Sequence, residues 1–463
     1  MTARAPQRLP EELRPPLSDE EAAVEADRCL ECGGPYAEAP CTVACPARID
    51  VPGFITAVAE GDPGQAAATI FAENVLGGTC ARVCPVEVLC EGACVLLHEG
   101  RRPVEIGRLQ RYATDWAFAT GFRLPPPPER NGRRVAVIGA GPAGLACAGE
   151  LAALGYDVTV YEAREEPGGL VRYAIAPYRQ QREPLPQEVE VLAGLGVELR
   201  LGTPVDSPEA LRAIEAEAEA VFLGVGLGKD VEAEFSGDDL SGVWDSLPFI
   251  EAIKTGRPPS VGSRVVVIGG GNTAMDVARE ALRLGAEEVT VLYRRTETEM
   301  PAFPHEVAEA REEGVRFRWL TQPLRFLGAG RLEAVECCSV ELGEPDESGR
   351  RRPQPLPGTE FLLPADTAVK AIGQTPRREL LGWIEGLELA EGLVAVDPAT
   401  GRTGNPRYFA AGDATNGGAT VVEAVREGKI AARGVHAYLS EKAVSRGLTP
   451  GRVILGQARK GQP

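Results

Sequence analysis

Val135-Ala136-Val137-Ile138-Gly139-Ala140-Gly141-Pro142-Ala143-Gly144 decides the fold of this chain. Its four consecutive apolar residues read as a strand of the parallel type, buried on both faces. Gly139-x-Gly141-x-x-Gly144 then turns the chain into a helix that continues over Leu145–Leu154, and Asp157-Val158-Thr159-Val160-Tyr161-Glu162 is the next strand. Strand, glycine turn, helix and strand make the unit that binds a dinucleotide. The glycines let the backbone approach a pyrophosphate, and free N–H groups at the helix N-terminus face it. The unit recurs at Val265–Ile268, Gly269-x-Gly271-x-x-Ala274, a helix to Leu284 and a strand over Glu288–Tyr293. A lone glycine fingerprint is weak evidence, whereas two copies in the same strand–turn–helix context are strong.

The two units differ where their second strands end. Glu162 closes the first, and a carboxylate there accepts ribose hydroxyls and repels a 2′-phosphate, which suits FAD or NAD. Arg294-Arg295 closes the second, and paired guanidinium groups suit a 2′-phosphate, favouring NADPH over NADH. The bland alternative is two surface arginines flanking a strand.

Farther on, Phe409-Ala410-Ala411-Gly412-Asp413 precedes Gly417-Gly418-Ala419-Thr420 and a helix from about Val421. Two dinucleotide units with a late Gly-Asp motif resemble the flavoproteins built on two such folds. That resemblance implies FAD at the first unit, with Gly412-Asp413 near its pyrophosphate and ribityl chain. It also implies that the helix from Thr420–Val422 aims its N-terminus at the flavin, stabilising negative charge on reduction. The alternative for Asp413 is a simple turn residue. The expected FAD contacts are Gly139, Gly141, Pro142, Ala143, Gly144, Glu162, Gly169, Gly412, Asp413, Thr420 and Val421. The expected NADPH contacts are Gly269, Gly271, Asn272, Thr273, Ala274, Arg294 and Arg295.

Eight of the eleven cysteines fall in the first 94 residues, in two runs. They are Cys29-x2-Cys32-x8-Cys41-x3-Cys45-Pro46 and Cys80-x3-Cys84-Pro85-x5-Cys90-x3-Cys94. Such spacings on tight turns converge on a metal centre, and the Cys-Pro pairs are a habit of iron–sulfur loops. Two structural zinc sites are the competing reading; they would leave a flavin without an obvious electron acceptor. No close redox pair of the disulfide-reductase kind is present. Cys147 falls within a helix and the adjacent Cys337 and Cys338 in a segment of strand character, so all three read as structural. The presence of only three histidines (His98, His305, His436) argues against a histidine-based hydrolytic site, and hydride transfer to a flavin needs no protein acid or base.

Several stretches together carry a resemblance to a known family. They are Gly78-Thr79-Cys80-Ala81-Arg82-Val83-Cys84-Pro85, Leu89-Cys90-Glu91-Gly92-Ala93-Cys94 and Ile106-Gly107-Arg108-Leu109-Gln110-Arg111-Tyr112. Tyr293-Arg294-Arg295, Met300-Pro301-Ala302 and Ala371-Ile372-Gly373-Gln374 belong with them. Over nearly its whole length the chain resembles the glutamate synthase small (beta) subunit family. That module is shared with the electron-input part of dihydropyrimidine dehydrogenase and the large subunit of NADH-dependent ferredoxin:NADP oxidoreductases. The resemblance implies two [4Fe-4S] clusters with crossed ligation. One would use Cys29, Cys32, Cys41 and Cys94, the other Cys45, Cys84, Cys90 and the non-cysteine ligand Gln110, with Cys80 a bystander. Helical pattern alone would put Gln110 on the surface. Electrons would run from NADPH through FAD and the clusters to a partner, the large subunit of glutamate synthase. The alternatives are the input subunit of a pyrimidine-reducing enzyme or an NADPH:ferredoxin oxidoreductase. Three features depart from the family: a longer Cys32–Cys41 loop, the stretch Tyr173–Gln181 near the flavin, and a mixture of features from two branches.

At 463 residues the chain should hold about three domains. The expected class is α/β, two Rossmann-like domains preceded by an α-helical iron–sulfur domain over 1–124. A stiff linker at 125–130, carrying Pro125-Pro126-Pro127-Pro128, would follow. The FAD domain would comprise 131–255 and 365–463, and the NADPH domain 256–364. Ser18-Asp19-Glu20-Glu21 reads as a capping box, and residues 1–17 before it as flexible. A net charge of −18 argues against nucleic acid or an anionic membrane as partner. No apolar run reaches the ~18 residues of a membrane span, and no signal-like core opens the chain. Reduced, metal-spaced cysteines fit the cytoplasm.

Overall fold

The computed structural model describes residues 12–34, 37–126, 129–233, 235–345 and 351–445. Residues 1–11 of the expected flexible start, and Pro127 and Pro128 of the expected linker, lie outside them.

Helices dominate the first part. They span Asp19–Ala26, Pro40–Ala44, Val51–Ala59, Pro63–Glu73, Gly77–Val83 and Ile106–Thr120, with no strand among the described residues up to 126. Their starts are written locally. Ser18 and Glu21 form the capping box, Glu21 N–H donating to Ser18 Oγ at 3.3 Å and Ser18 N–H to Glu21 Oε2 at 2.8 Å. Asp50 and Asp62 cap the third and fourth helices by accepting the Gly53 and Gln65 N–H groups at 3.1 and 2.9 Å, each ahead of a first-turn proline.

Residues 12–17 are tied down, contrary to the sequence expectation. Leu13 N–H donates to Tyr178 O at 2.9 Å, Gln181 N–H donates to Glu12 Oε1 at 3.1 Å, and Arg108 donates to Pro15 O at 3.1 Å. Long-range partners hold this segment, and local sequence carries no trace of them.

The first dinucleotide sheet is fully parallel, in the order Tyr408–Ala410, Ala220–Leu223, Arg134–Ile138, Asp157–Tyr161, Glu198–Arg200. The helical region and this sheet share one apolar core, in which Phe54, Ile70 and Leu109 join Val137, Leu145 and Val425. The proline stretch therefore separates two elements of one packed body.

The second sheet runs Val243–Asp245, Thr367–Lys370, Arg264–Ile268, Glu288–Leu292, Arg316–Arg318, again all parallel. It reaches past the expected limits of 256–364 on both sides. Val243–Asp245 is three half-buried residues with no apolar run to announce it, and it pairs with Thr367–Lys370 from the far end. The helix Ser246–Lys254 packs its Phe249, Ile250 and Ile253 into the second sheet's core.

A four-stranded antiparallel sheet, built on Ala334–Pro345, covers the second unit. Cys337 and Cys338 lie on its central strand and are buried, as Cys147 is within the Pro142–Ala153 helix. Among the described residues, no helix is long and apolar enough to cross a membrane.

Candidate functional site: two dinucleotide cradles and two thiol sets

At the first cradle, Gly139 has φ +101°, and a Cβ there would meet Gly224 O at 2.4 Å. Only glycine fits that tight turn. A Cβ at Gly141 would instead meet open space, its nearest neighbour being Gly224 O at 3.9 Å. Pro142, Ala143 and Gly144 open the helix immediately behind. A pyrophosphate fits this hollow over a helix N-terminus.

Glu162 turns back onto the same turn. Its Oε2 accepts the Ala140 N–H and its Oε1 the Arg164 N–H, both at 2.8 Å. Gly168 N–H donates to Ala140 O at 2.7 Å, and a Cβ on Gly169 would sit 3.0 Å from Gly141 Cα. Gly412 lies against Ala143, and its N–H donates to Glu427 Oε2 at 2.9 Å. Asp413 Oδ1 accepts the Ala419 N–H at 3.2 Å, and burial pushes its carboxyl above the usual range. Thr420 and Glu423 form a capping box that starts the Val421–Ser445 helix. Residues far apart in sequence thus close around one hollow.

The second cradle repeats the plan. A Cβ on Gly269 (φ +141°) would meet Ala371 O at 2.1 Å, whereas one on Gly271 would meet nothing within 4 Å. The helix beyond opens with Asn272, Thr273 and Ala274. Asn272 Oδ1 accepts the Phe303 N–H at 2.9 Å, which holds the Met300–Phe303 segment beside the hollow. The two arginines part company. Arg294 is exposed, while Arg295 is buried and donates from Nε to Arg351 O at 2.9 Å.

The thiols gather into two sets drawn from both runs. Cys29 faces Cys32 and Cys94, and Cys41 faces Cys29 and Cys94. These four line an apolar pocket with Pro40, Ile55 and Leu96. The second set is Cys45, Cys84 and Cys90, with Cys80 beside Cys84. Burial pushes the Cys29, Cys41, Cys45 and Cys90 thiols up, Cys41 to about 11. They hold protons until a metal displaces them, which couples loading to proton release. Gln110 is buried rather than on the surface, and its Nε2 donates to Gly77 O at 2.7 Å. Among the described residues, no three His, Cys, Asp or Glu side chains close on a single-ion position. A cubane cluster spreads its ligands wider than the ~2.3 Å bonds of one tetrahedral zinc would allow. Half-buried thiols on an apolar pocket fit iron–sulfur ligation.

Sequence reasoning missed the clasp between these centres. Tyr178 Oη donates to Asp276 Oδ1 at 2.6 Å, Arg179 Nε to the same oxygen at 2.7 Å, and Arg179 Nη2 to Glu306 Oε2 at 2.5 Å. Lys254 donates to Val171 O and Gln180 O at 2.8 and 3.1 Å, and burial lowers it to about 7. The segment between the two cradles is thereby fixed to the second unit. The one available signal was the departure of Tyr173–Gln181 from the family pattern.

Comparison with known proteins agrees with this layout. Residues 133–428 match the pyridine nucleotide-disulphide oxidoreductase family, and residues 7–122 match the dihydropyrimidine dehydrogenase domain II, 4Fe-4S cluster family. The chain is 38% identical over 452 residues to the glutamate synthase [NADPH] small chain of Escherichia coli (strain K12), covering 92% of this chain and 93% of that one. It is 37% identical over 443 residues to the Azospirillum brasilense small chain, with 92% and 91% covered. A Geobacter sulfurreducens NADPH-Fe(3+) oxidoreductase subunit beta is 38% identical over 436 residues, but only 64% of its length is spanned. Mycobacterium tuberculosis FprA in complex with NADPH shares the fold at TM-score 0.59 and 20% identity, over 69% of this chain and 87% of that one. The thioredoxin reductase of T. acidophilum does so at 0.52 and 22%, over 67% and 99%. Two cradles, two thiol sets and near end-to-end correspondence agree: the chain is an NADPH-dependent FAD oxidoreductase with a [4Fe-4S] domain, and it belongs to the glutamate synthase small-chain family.

Proposed function

We propose that this chain is the electron-input subunit of a glutamate synthase, taking hydride from NADPH and delivering single electrons to a large subunit. The correspondence over more than nine-tenths of both chains supports that partner. Gly269–Ala274 receives the NADPH pyrophosphate, and Arg294 pairs with the 2′-phosphate while Arg295 braces the Arg351–Pro355 strand. Gly139–Gly144, Glu162 and Asp413 hold FAD, and the N-terminus of the Val421–Ser445 helix favours negative charge at the ring. FAD, when bound, supplies the exchange between a hydride and single electrons. Cys29, Cys32, Cys41 and Cys94 hold one cluster, and Cys45, Cys84, Cys90 and Gln110 the other. The Tyr178–Asp276 and Arg179–Glu306 bonds keep the two cradles at a fixed spacing, so that hydride donor and acceptor meet without a search.

The observation carrying this reading is the single apolar core shared by the thiol-bearing helices and the first dinucleotide fold. The test is anaerobic mixing of the purified chain with NADPH, then NADH, followed by pull-down against a co-expressed glutamate synthase large subunit. Bleaching by NADPH and a stable complex are expected. Bleaching by NADH alone, or no complex, would overturn it.

A further inference from the structure

The two dinucleotide units are joined by two connections that run side by side. The outgoing one, residues 224–231, follows the Ala220–Leu223 strand, and the returning one, residues 371–377, follows the Thr367–Lys370 strand. Gly228 N–H donates to Thr375 O at 2.6 Å, Thr375 N–H to Lys229 O at 2.9 Å and Val231 N–H to Gly373 O at 2.8 Å. The outgoing connection begins against the first cradle: a Cβ on Gly139 would lie 2.4 Å from Gly224 O and 3.2 Å from Val225 Cα. Arg377, at the end of the returning connection, fastens onto this same stretch. Its Nε donates to Val225 O at 3.0 Å and to Leu227 O at 3.1 Å. Those two bonds hold the guanidinium in place, and its two Nη groups have no hydrogen bond or ion pair among the described residues. The charged groups that act on it are Glu162 and Arg164. Arg164 is already engaged, paired with Glu251 and lying 3.9 Å over the Tyr173 ring. Arg377 thus places an unengaged guanidinium fork at the rim of the first cradle, on the Glu162 side.

We infer that Arg377 holds the adenylate half of FAD through its Nη fork. This rests on the reading of Gly139–Gly144 and Glu162 as the FAD cradle. Three carboxylates, Glu162, Asp413 and Glu427, stand around that cradle, and the pyrophosphate of FAD adds more negative charge. A helix N-terminus supplies only partial positive charge against it. A fixed guanidinium offsets the rest, and its planar fork suits either a phosphate or the face of an adenine ring. Glu162 marks the ribose end of the dinucleotide, so a cation beside Glu162 meets the adenylate rather than the flavin ring. The FAD site is then completed by a residue of the returning connection, outside every glycine motif.

The test is the FAD affinity of the full chain, stripped of flavin and reloaded, followed by flavin fluorescence. FMN, which lacks the adenylate, serves as the second probe, and the melting temperature is measured in parallel. Arg377→Met should weaken FAD binding roughly 10- to 100-fold and leave FMN affinity unmoved. Arg377→Lys, which keeps a charge but not the fork, should fall between Arg377→Met and the native chain. Unchanged FAD affinity in Arg377→Met would overturn the inference. Equal losses of FAD and FMN with a lowered melting temperature would also overturn it, by making Arg377 only a brace for Val225 and Leu227. FAD affinity untouched by Glu162→Ala would sink the cradle reading itself, and the inference with it.

Discussion

Glu188 buries its carboxylate on Thr79: Oε1 accepts the Thr79 N–H at 2.9 Å and Oε2 accepts the Thr79 hydroxyl at 2.6 Å. The bond joins the helix that carries Cys80 to the Leu185–Gly194 helix of the first dinucleotide fold. Burial, opposed by the Thr79 bonds, pushes Glu188 from 4.5 up to about 7. A carboxyl raised in this way prefers its proton in the folded protein. Its contribution is full below the unfolded value near 4.5 and fades as pH rises through 7. By full ionisation about 3 kcal/mol of stability has been lost. Glu280 and Glu91 are raised to about 7 by burial as well and add in the same sense. Stability should therefore fall between pH 5 and pH 8. Glu188→Gln, which cannot ionise, should flatten that fall by roughly a third. Denaturant melts across this range would read it, and an unchanged slope would show that Glu188 is ionised throughout.

Arg294 and Arg295 separate specificity from structure. Arg294 is exposed, so Arg294→Ala should leave the melting temperature unchanged. It should raise KM for NADPH roughly 10- to 100-fold through loss of one charge-assisted contact, with KM for NADH unmoved. Arg295→Ala removes the bond to Arg351 O, which braces the antiparallel sheet, and should lower the melting temperature. Steady-state reduction of an artificial acceptor with both nucleotides gives the comparison. Equal losses with NADPH and NADH for Arg294→Ala would remove the phosphate role.

What could be read from sequence was what lies close together along the chain. Gly139, Gly141 and Glu162 are legible because one strand–turn–helix–strand unit fixes their relation within 24 residues, and Ser18 with Glu21 because a cap spans a single turn. The sorting of thiols into two sets was not legible from spacing, because Cys94 joins a set led by Cys29 only after the chain has folded back. Gln110 looked exposed on helical period. The Gly77 carbonyl that receives its amide is 33 residues away, and it converts a polar position into a buried one. Val243–Asp245 is too short to announce its place in the second sheet. Tyr178 and Arg179 meet partners 97 to 127 residues on, beyond any local signal.

Arg179 and Glu306 form a pair that should not be broken from one side. Burial works to raise the Glu306 carboxyl, but His305 and Arg179 outweigh it and hold it well below the usual range. Arg179→Ala leaves two carboxylates, Asp276 and Glu306, without that guanidinium in a buried place. It should cost about 3–5 kcal/mol. Arg179→Met with Glu306→Gln should recover part of the loss, since neither side then strands a charge. Hydrogen exchange should report faster opening of residues 171–181 in the single variant. Slow exchange there, with normal stability, would mean that Tyr178 and Lys254 hold the segment unaided.

Cys84 tests how far the two metal centres and the flavin are independent. Cys84→Ala removes a donor of the second thiol set but touches neither cradle. The first set, on its own apolar pocket with Pro40 and Ile55, keeps all four of its thiols. Iron content and absorbance near 400 nm attributable to clusters should fall by about half. FAD should stay bound and NADPH should still bleach it, because Glu162 and Gly141 are unaffected. Electron delivery to a protein acceptor should drop far more than reduction of a small dye that reaches the flavin directly. Loss of FAD along with the iron would show instead that the shared core around Leu109 and Val137 needs the second cluster in place to form.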